Sequence, residues 1–265
     1  MTGYTPPPLV AVDVGNTRIK LGLFDPATSS DGAIPTPTKT LAFVPLVDSF
    51  DKIAEWLGPE TVPLASWWIG SVQRRAAARL VDWLHERNAE RITLLASVDL
   101  PLTVSLPRAD MVGIDRLLGA VAVNRLRDPA SPAIVVGLGT AITVDLVSAG
   151  GTFEGGAILP GIGLSARALH EFTDLLPLLD MQGLAEPPPP LGTNTFDAMR
   201  AGIYWGAVGG VRQLVELLAE RLQTSPEVFL TGGAAPAVAG LIAERGHHEP
   251  HLVLSGIALA ASGSS

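Results

Sequence analysis

The alternation of apolar and polar positions sets out the elements of this chain before its composition is considered. Leu9–Val14 (LVAVDV) is an apolar run that breaks at Gly15-Asn16-Thr17, and Ile19–Phe24 (IKLGLF) resumes it. Two β-rich runs around a tight Gly-Asn turn predict a hairpin. Asp25–Thr40 is polar and rich in turn residues, which predicts a loop. Beyond it the pattern predicts a helix over Phe50–Leu57, a buried strand over Trp67–Val72, an amphipathic helix over Arg74–Asn88 and a strand over Arg91–Leu95. Gly113–Arg127 carries Leu117, Leu118, Val121 and Leu126 at helical spacing.

The opening pattern then recurs. Ala133–Leu138 (AIVVGL), a Gly139-Thr140-Ala141 turn and Ile142–Val147 (ITVDLV) repeat strand, small-residue turn and strand, with a third arm in Thr152–Leu159. Aligning Gly15 with Gly139 pairs Asp13 with Gly137 and Asn16 with Thr140. Helices follow over Gly163–Phe172 and Phe196–Leu222, with the stiff tract Glu186–Pro190 (EPPPP) between them. Val228–Leu230 reads as a strand ending in Thr231-Gly232-Gly233, and a helix to Arg245 comes next. Two halves that each open with a hairpin and end in helices predict a duplicated α/β unit. A cleft between such halves is a usual place for a ligand.

Composition narrows the classes. In 265 residues, 18 Lys+Arg stand against 26 Asp+Glu, a net charge of −8, and no cysteine is present. The pI near 5.1 argues against a general nucleic-acid binder, because no broad positive surface is available to neutralise phosphates. The absence of cysteine removes disulfides, thiolate metal sites and thiol nucleophiles, and fits a cytoplasmic chain. Mean hydropathy is high at +0.35, yet the most apolar stretch, Ala133–Val144, is too short to span a bilayer, so no membrane partner is expected. The first residues, MTGYTPPPLV, lack the basic and apolar regions of a secretory signal.

Three segments carry candidate chemistry. Asp13–Lys20 combines a glycine turn, whose amides can cradle an anion, with the donors Asn16 and Thr17, the cation Lys20, and a carboxylate, Asp13, suited to Mg²⁺ through water. By itself it also reads as an ordinary hairpin with Asp and Asn in turn roles. Gly139–Asp145 offers a second glycine turn with hydroxyls and no cation. Gly113-Ile114-Asp115-Arg116 puts a carboxylate and a guanidinium at a helix start. This arrangement suits a general base for a hydroxyl and a fork for a carboxylate, or a plain helix start. His247-His248-x-x-His251 reads as a surface loop rather than a metal tract. There is no GxxxxGK[ST] and no Gly-x-Ser-x-Gly, so neither a P-loop nor a serine hydrolase is supported.

Taken in order, Asp13-x-Gly15-Asn16-Thr17-x-x-Lys20, Gly113-x-Asp115-Arg116, Gly139-Thr140-Ala141-x-Thr143-x-Asp145, Gly155-Gly156-x-Ile158-x-Pro160-Gly161, Asn194-Thr195-x-x-Ala198-x-x-x-Gly202 and Thr231-Gly232-Gly233 form a specific set. The chain resembles type III pantothenate kinases, of the acetate and sugar kinase/Hsp70/actin superfamily, over nearly its whole length. The resemblance implies two similar ribonuclease-H-like halves, mixed β-sheets flanked by helices, with the active site in the cleft between them. The halves are expected at 9–117 and 118–265. It implies ATP-dependent phosphorylation of pantothenate, the first step of coenzyme A synthesis, by a homodimer.

Residue by residue, it implies that Asp13, Val14, Gly15, Asn16, Thr17, Arg18, Ile19 and Lys20 bind ATP together with Thr140, and that Asp13 lies near Mg²⁺. Gly113, Ile114, Asp115, Arg116 and Thr195 would bind pantothenate, with Asp115 the proton acceptor. Two departures stand out. Where the family has an aspartate holding a monovalent cation, K⁺ or NH₄⁺, this chain has Gly137, so weak or no dependence on that cation is expected here. Where the family has a tyrosine against pantothenate, it has Leu106. The competing readings are a kinase of another small hydroxy acid or a sugar, and a nucleotide-binding regulatory protein without catalysis.

Overall fold

The structure is a computed structural model describing residues 6–25, 34–45, 47–181, 186–222, 224–242 and 246–263. It forms two compact units, the first ending at Leu126 and resuming at His251, the second running from Arg127 to Pro250.

The first unit contains β1 (Leu9–Val14), β2 (Ile19–Phe24), β3 (Lys39–Phe43), α1 (Asp51–Leu57), β4 (Ser66–Ser71), α2 (Arg74–His85), β5 (Ile92–Leu94), α3 (Ile114–Leu126) and α7 (Leu252–Ser262). Its sheet order is β3-β2-β1-β4-β5, with β1 antiparallel to β2 and parallel to β4. Both faces of β1 are covered, which is why its sequence is a continuous apolar run rather than an alternating one. Val10, Val12 and Val14 join Ile53, Leu80 and Leu84 of α1 and α2 in one core. On the other face Leu254 of α7 lies over Gly22, while Leu118 of α3 and Ile257 of α7 lie over Gly70.

The second unit contains β6 (Ala133–Leu138), β7 (Ala141–Val147), β8 (Phe153–Pro160), α4 (Ile162–Glu171), α5 (Thr195–Glu220), β9 (Glu227–Thr231), α6 (Ala235–Ile242) and β10 (His247–His248). Read from its other edge, its sheet is β8-β7-β6-β9-β10, with β6 antiparallel to β7 and parallel to β9. That repeats the first unit's order and pairing strand for strand, so the duplication expected from two similar hairpins extends to the whole sheet. Ile134, Val136 and Leu138 pack with Tyr204, Val208 and Val211 of α5 and with Val238 and Ile242 of α6. The proline tract is tied down by Trp205, whose Nε1 donates to the Pro188 carbonyl at 2.9 Å.

Two expectations are corrected, and a third falls partly outside the described residues. The division at 117/118 falls inside α3, whose hydrogen-bonded ladder cannot be cut between domains; the boundary is at 126/127, and the C-terminal helix returns to the first unit because its apolar face packs on α3 and β1. The loop expected over Asp25–Thr40 ends early, because Lys39 and Thr40 pair with Leu23 and Gly22 as part of β3; residues 26–33 lie outside the described residues. The helix expected to reach Arg245 is α6, and residues 243–245 also lie outside.

α3 and α7 approach closely at Gly256, where an added Cβ would stand 2.1 Å from the Leu118 carbonyl oxygen. Backbone cannot yield as a side-chain tip does. Gly256→Ala is expected to destabilise by roughly 2–3 kcal/mol, an overpacking cost. A lowered urea midpoint at unchanged slope checks it.

Candidate active site

In the first unit, charged groups converge at one end of the sheet. Asp13 near the end of β1 and Lys20 at the start of β2 are directly paired residues, so their side chains share a face. It is the face that α3 and α7 cover, and both helices begin beside this pair. Asp115, in the first turn of α3, acts electrostatically on Asp13, and Lys20 on both carboxylates. Burial pushes the Asp13 carboxyl up to about 6; Lys20 pulls it down and Asp115 adds to the rise. Burial likewise raises Asp115, opposed by the backbone amide and the guanidinium of Arg116 and by Lys20.

The local sequence explains the geometry. Gly15 closes the β1–β2 turn by donating to the Arg18 carbonyl at 3.1 Å, leaving Asn16 and Arg18 exposed. Val14, Ile19 and Ile114 turn their side chains into the core, so these expected site residues can offer a ligand only backbone. Gly113 leaves room for the Asp115 carboxylate: a Cβ there would lie 2.7 Å from Asp115 Oδ1 and push it aside. That same oxygen accepts from the Arg116 amide at 2.9 Å, which fixes the carboxylate at the helix start. Half-buried Leu106 lies just before this segment, in a bend.

The His247-His248-x-x-His251 motif is divided by the fold. His247 and His248 are exposed on β10, as a surface reading expects. His251 instead caps the start of α7, half-buried, and burial and the Lys20 charge lower its pKa, so it is neutral at pH 7. Sequence reasoning missed its place beside Lys20. The usable signal was the apolar run Leu252–Ala260 directly after it, which marks a helix start.

In the second unit, Thr140 forms the β6–β7 turn, where the Gly139 amide donates to the Ala141 carbonyl at 3.1 Å. The Gly161 amide donates to the Thr140 carbonyl at 3.0 Å, and a Cβ on Gly161 would meet that oxygen at 2.5 Å, so the glycine ending the Gly155–Gly161 motif permits the approach. Gly232, at φ +101°, brings the turn after β9 against the Leu138 carbonyl. Thr195, exposed at the first turn of α5, lines an open groove of about 910 Å³ with Pro160, Ser165, Asn194, Met199 and Ile203. That volume suits a small organic ligand.

The partly exposed but desolvated Asp13 makes a testable stability statement. An unfolded chain ionises this carboxyl near 3.8, the folded one near 6. Asp13 therefore contributes most to stability below the lower value, and that contribution is lost as pH rises through about 6. Asp13→Asn should raise the melting temperature of the ligand-free protein at neutral pH and change it little at pH about 4. A lower melting temperature at neutral pH would contradict this assignment.

Two mixed five-stranded sheets of one topology, flanked by helices and each with a glycine turn after its central strand, define a protein of the acetate and sugar kinase/Hsp70/actin fold. A Campylobacter jejuni protein described as a Baf family transcriptional activator shares this fold at TM-score 0.58 and 17% identity, over 96% of this chain and 98% of that one. The model of the family described as type III pantothenate kinase matches residues 9–217, and the chain belongs to that family. A type III pantothenate kinase of Anaeromyxobacter sp. (strain K) is 33% identical over 254 residues, 94% of this chain and 96% of that protein. Another, from Streptomyces avermitilis, is 34% identical over 269 residues, 95% and 96% of the two chains. The chain is accordingly a kinase.

Proposed function

We propose that this chain transfers the γ-phosphoryl group of ATP to the primary hydroxyl of pantothenate, with Asp115 as proton acceptor. The observation that supports it best is the cluster of Asp13, Lys20 and Asp115 at one end of the first sheet, two carboxylates and one ammonium felt by each other. Phosphoryl transfer asks a protein mainly for positioning and charge neutralisation. Lys20 and the turn amides of Gly15–Arg18 hold phosphate oxygens, and the Thr140 hydroxyl and turn hold others. Asp115 takes the hydroxyl proton, Arg116 grips the pantothenate carboxylate with its fork, and Thr195 contacts the same substrate at the α5 start.

The divalent metal in this reading is Mg²⁺. Among the described residues no group of three or more His, Cys, Asp or Glu could hold a metal. The desolvated Asp13 carboxylate fits an ion taking most of its ligands from phosphates and water, since Mg²⁺ is commonly held through one or two protein carboxylates. Bound there, the metal would neutralise charge on the transferring phosphate.

We further propose a cytoplasmic homodimer. The exposed apolar side chains Leu164, Leu169 and Phe172 of α4 and its end, with Leu175 and Leu178 just after it and Phe196 in the first turn of α5, suit a self-association surface. No helix among the described residues is long and apolar enough to cross a membrane. The reading of a kinase for another acceptor and that of an inactive regulator are less well supported, given a family match over most of the chain. A panel of small hydroxy acids and sugars with ATP tests the acceptor: pantothenate should give by far the highest kcat/KM. A sugar outrunning pantothenate would replace it.

A further inference from the structure

The two units place different chemistry at one and the same position. In the first sheet the row level with Asp13 reads Ala42–Lys20–Asp13–Gly70. In the second, the row two residues before the Gly139 turn reads Ile158–Thr143–Gly137–Thr231. A carboxylate and an ammonium in one unit are matched by a bare backbone position between two threonines in the other. Directly paired residues share a face, so Thr143 and Thr231 flank Gly137 on the same side of the sheet. Thr143 leans into the space, its hydroxyl oxygen 2.8 Å from where a Cβ on Gly137 would stand.

Asp145 lies one rung further along β7 on the same face and is 1% exposed. It does not take the missing carboxylate's place. A Cβ added to Gly156 would meet Asp145 Oδ1 at 2.4 Å, so the carboxylate is turned over β8. Gly137 is on β6, the neighbour on the opposite side of β7.

A monovalent cation is held by several oxygens, and where one of them belongs to a carboxylate, its loss removes the charged share of the attraction that offsets dehydration. Here the position where the resemblance implies such an ion offers the neutral Thr143 hydroxyl and backbone, and no charged oxygen. The residues do not fit it. We infer that phosphoryl transfer by this chain is independent of potassium and ammonium, with the Thr143 hydroxyl occupying the place of the missing carboxylate. The inference rests on the kinase function proposed above.

The test measures initial rates in sodium, potassium, ammonium and tetramethylammonium chlorides at matched ionic strength, alongside calorimetry of a non-hydrolysable ATP analogue with Mg²⁺ in sodium and in potassium. Rates and affinities agreeing within about twofold are expected, whereas a site with a charged ligand should show changes of about tenfold or more. Activation or tighter analogue binding of that size by potassium or ammonium would overturn the inference. A protein inactive with every acceptor in every salt would instead remove the kinase function, and the calorimetric comparison would still decide whether a cation site exists.

Discussion

Replacing Asp115 with asparagine is expected to reduce pantothenate phosphorylation by about 10²–10⁴-fold, the contribution of a positioned general base. The amide is nearly isosteric, and its oxygen can still accept from the Arg116 amide that holds Asp115 at the start of α3. It cannot take a proton. Nothing in the packing of α3 depends on the charge: Leu117, Leu118, Ala120 and Ala122 bury its apolar side whatever stands at 115. The melting temperature should therefore fall little or rise, since burial already disfavours the ionised form. The kcat and KM values for both substrates check this. A folded Asp115→Asn protein with near-normal turnover would remove Asp115 from the base role. The raised pKa adds a pH signature, because activity should fail on the acid side at a higher pH than an ordinary aspartate would give.

The second large effect is expected at Lys20. Its ammonium is felt by Asp13, Asp115 and His251 alike. Lys20→Ala should weaken Mg²⁺–ATP binding by about 10–100-fold, the loss of a charge-assisted contact worth roughly 1.5–3 kcal/mol. Pantothenate affinity should change far less. The sign of the pH effect follows from the same contacts. Lys20 lowers the carboxyl pKa values of Asp13 and Asp115, so without it both titrate at higher pH and the acid limb of the rate profile moves upward. Isothermal titration with nucleotide and a pH–rate profile check the two halves. Unchanged nucleotide affinity with an unmoved acid limb would leave Lys20 a strand-surface lysine.

Much of this arrangement was legible in the sequence, and the illegible parts have physical reasons. The hairpins announce themselves because β1, β2, β6 and β7 are buried and apolar, with short glycine turns between them. Gly113-x-Asp115-Arg116 was legible because a helix start favours such residues at such a place. Lys39–Phe43 hid its strand because, at one edge of the sheet, it keeps exposed polar positions at Lys39 and Thr40. The return of α7 to the first unit is a long-range contact, Gly256 against Leu118, that no local periodicity encodes. His251 beside Lys20 follows from that return and was hidden with it. The direction of Asp145 was equally invisible, because it depends on Gly156 across a strand pair rather than on neighbours in sequence.

The central claim is that this chain moves the γ-phosphoryl group of ATP onto the primary hydroxyl of pantothenate. Phosphorus NMR of the purified protein with Mg²⁺, ATP and pantothenate reads that transfer directly. The account predicts ADP and one new phosphomonoester signal appearing in equal amounts, coupled to the methylene protons of the former primary alcohol. Release of inorganic phosphate instead, or no loss of ATP in the presence of pantothenate, would contradict it.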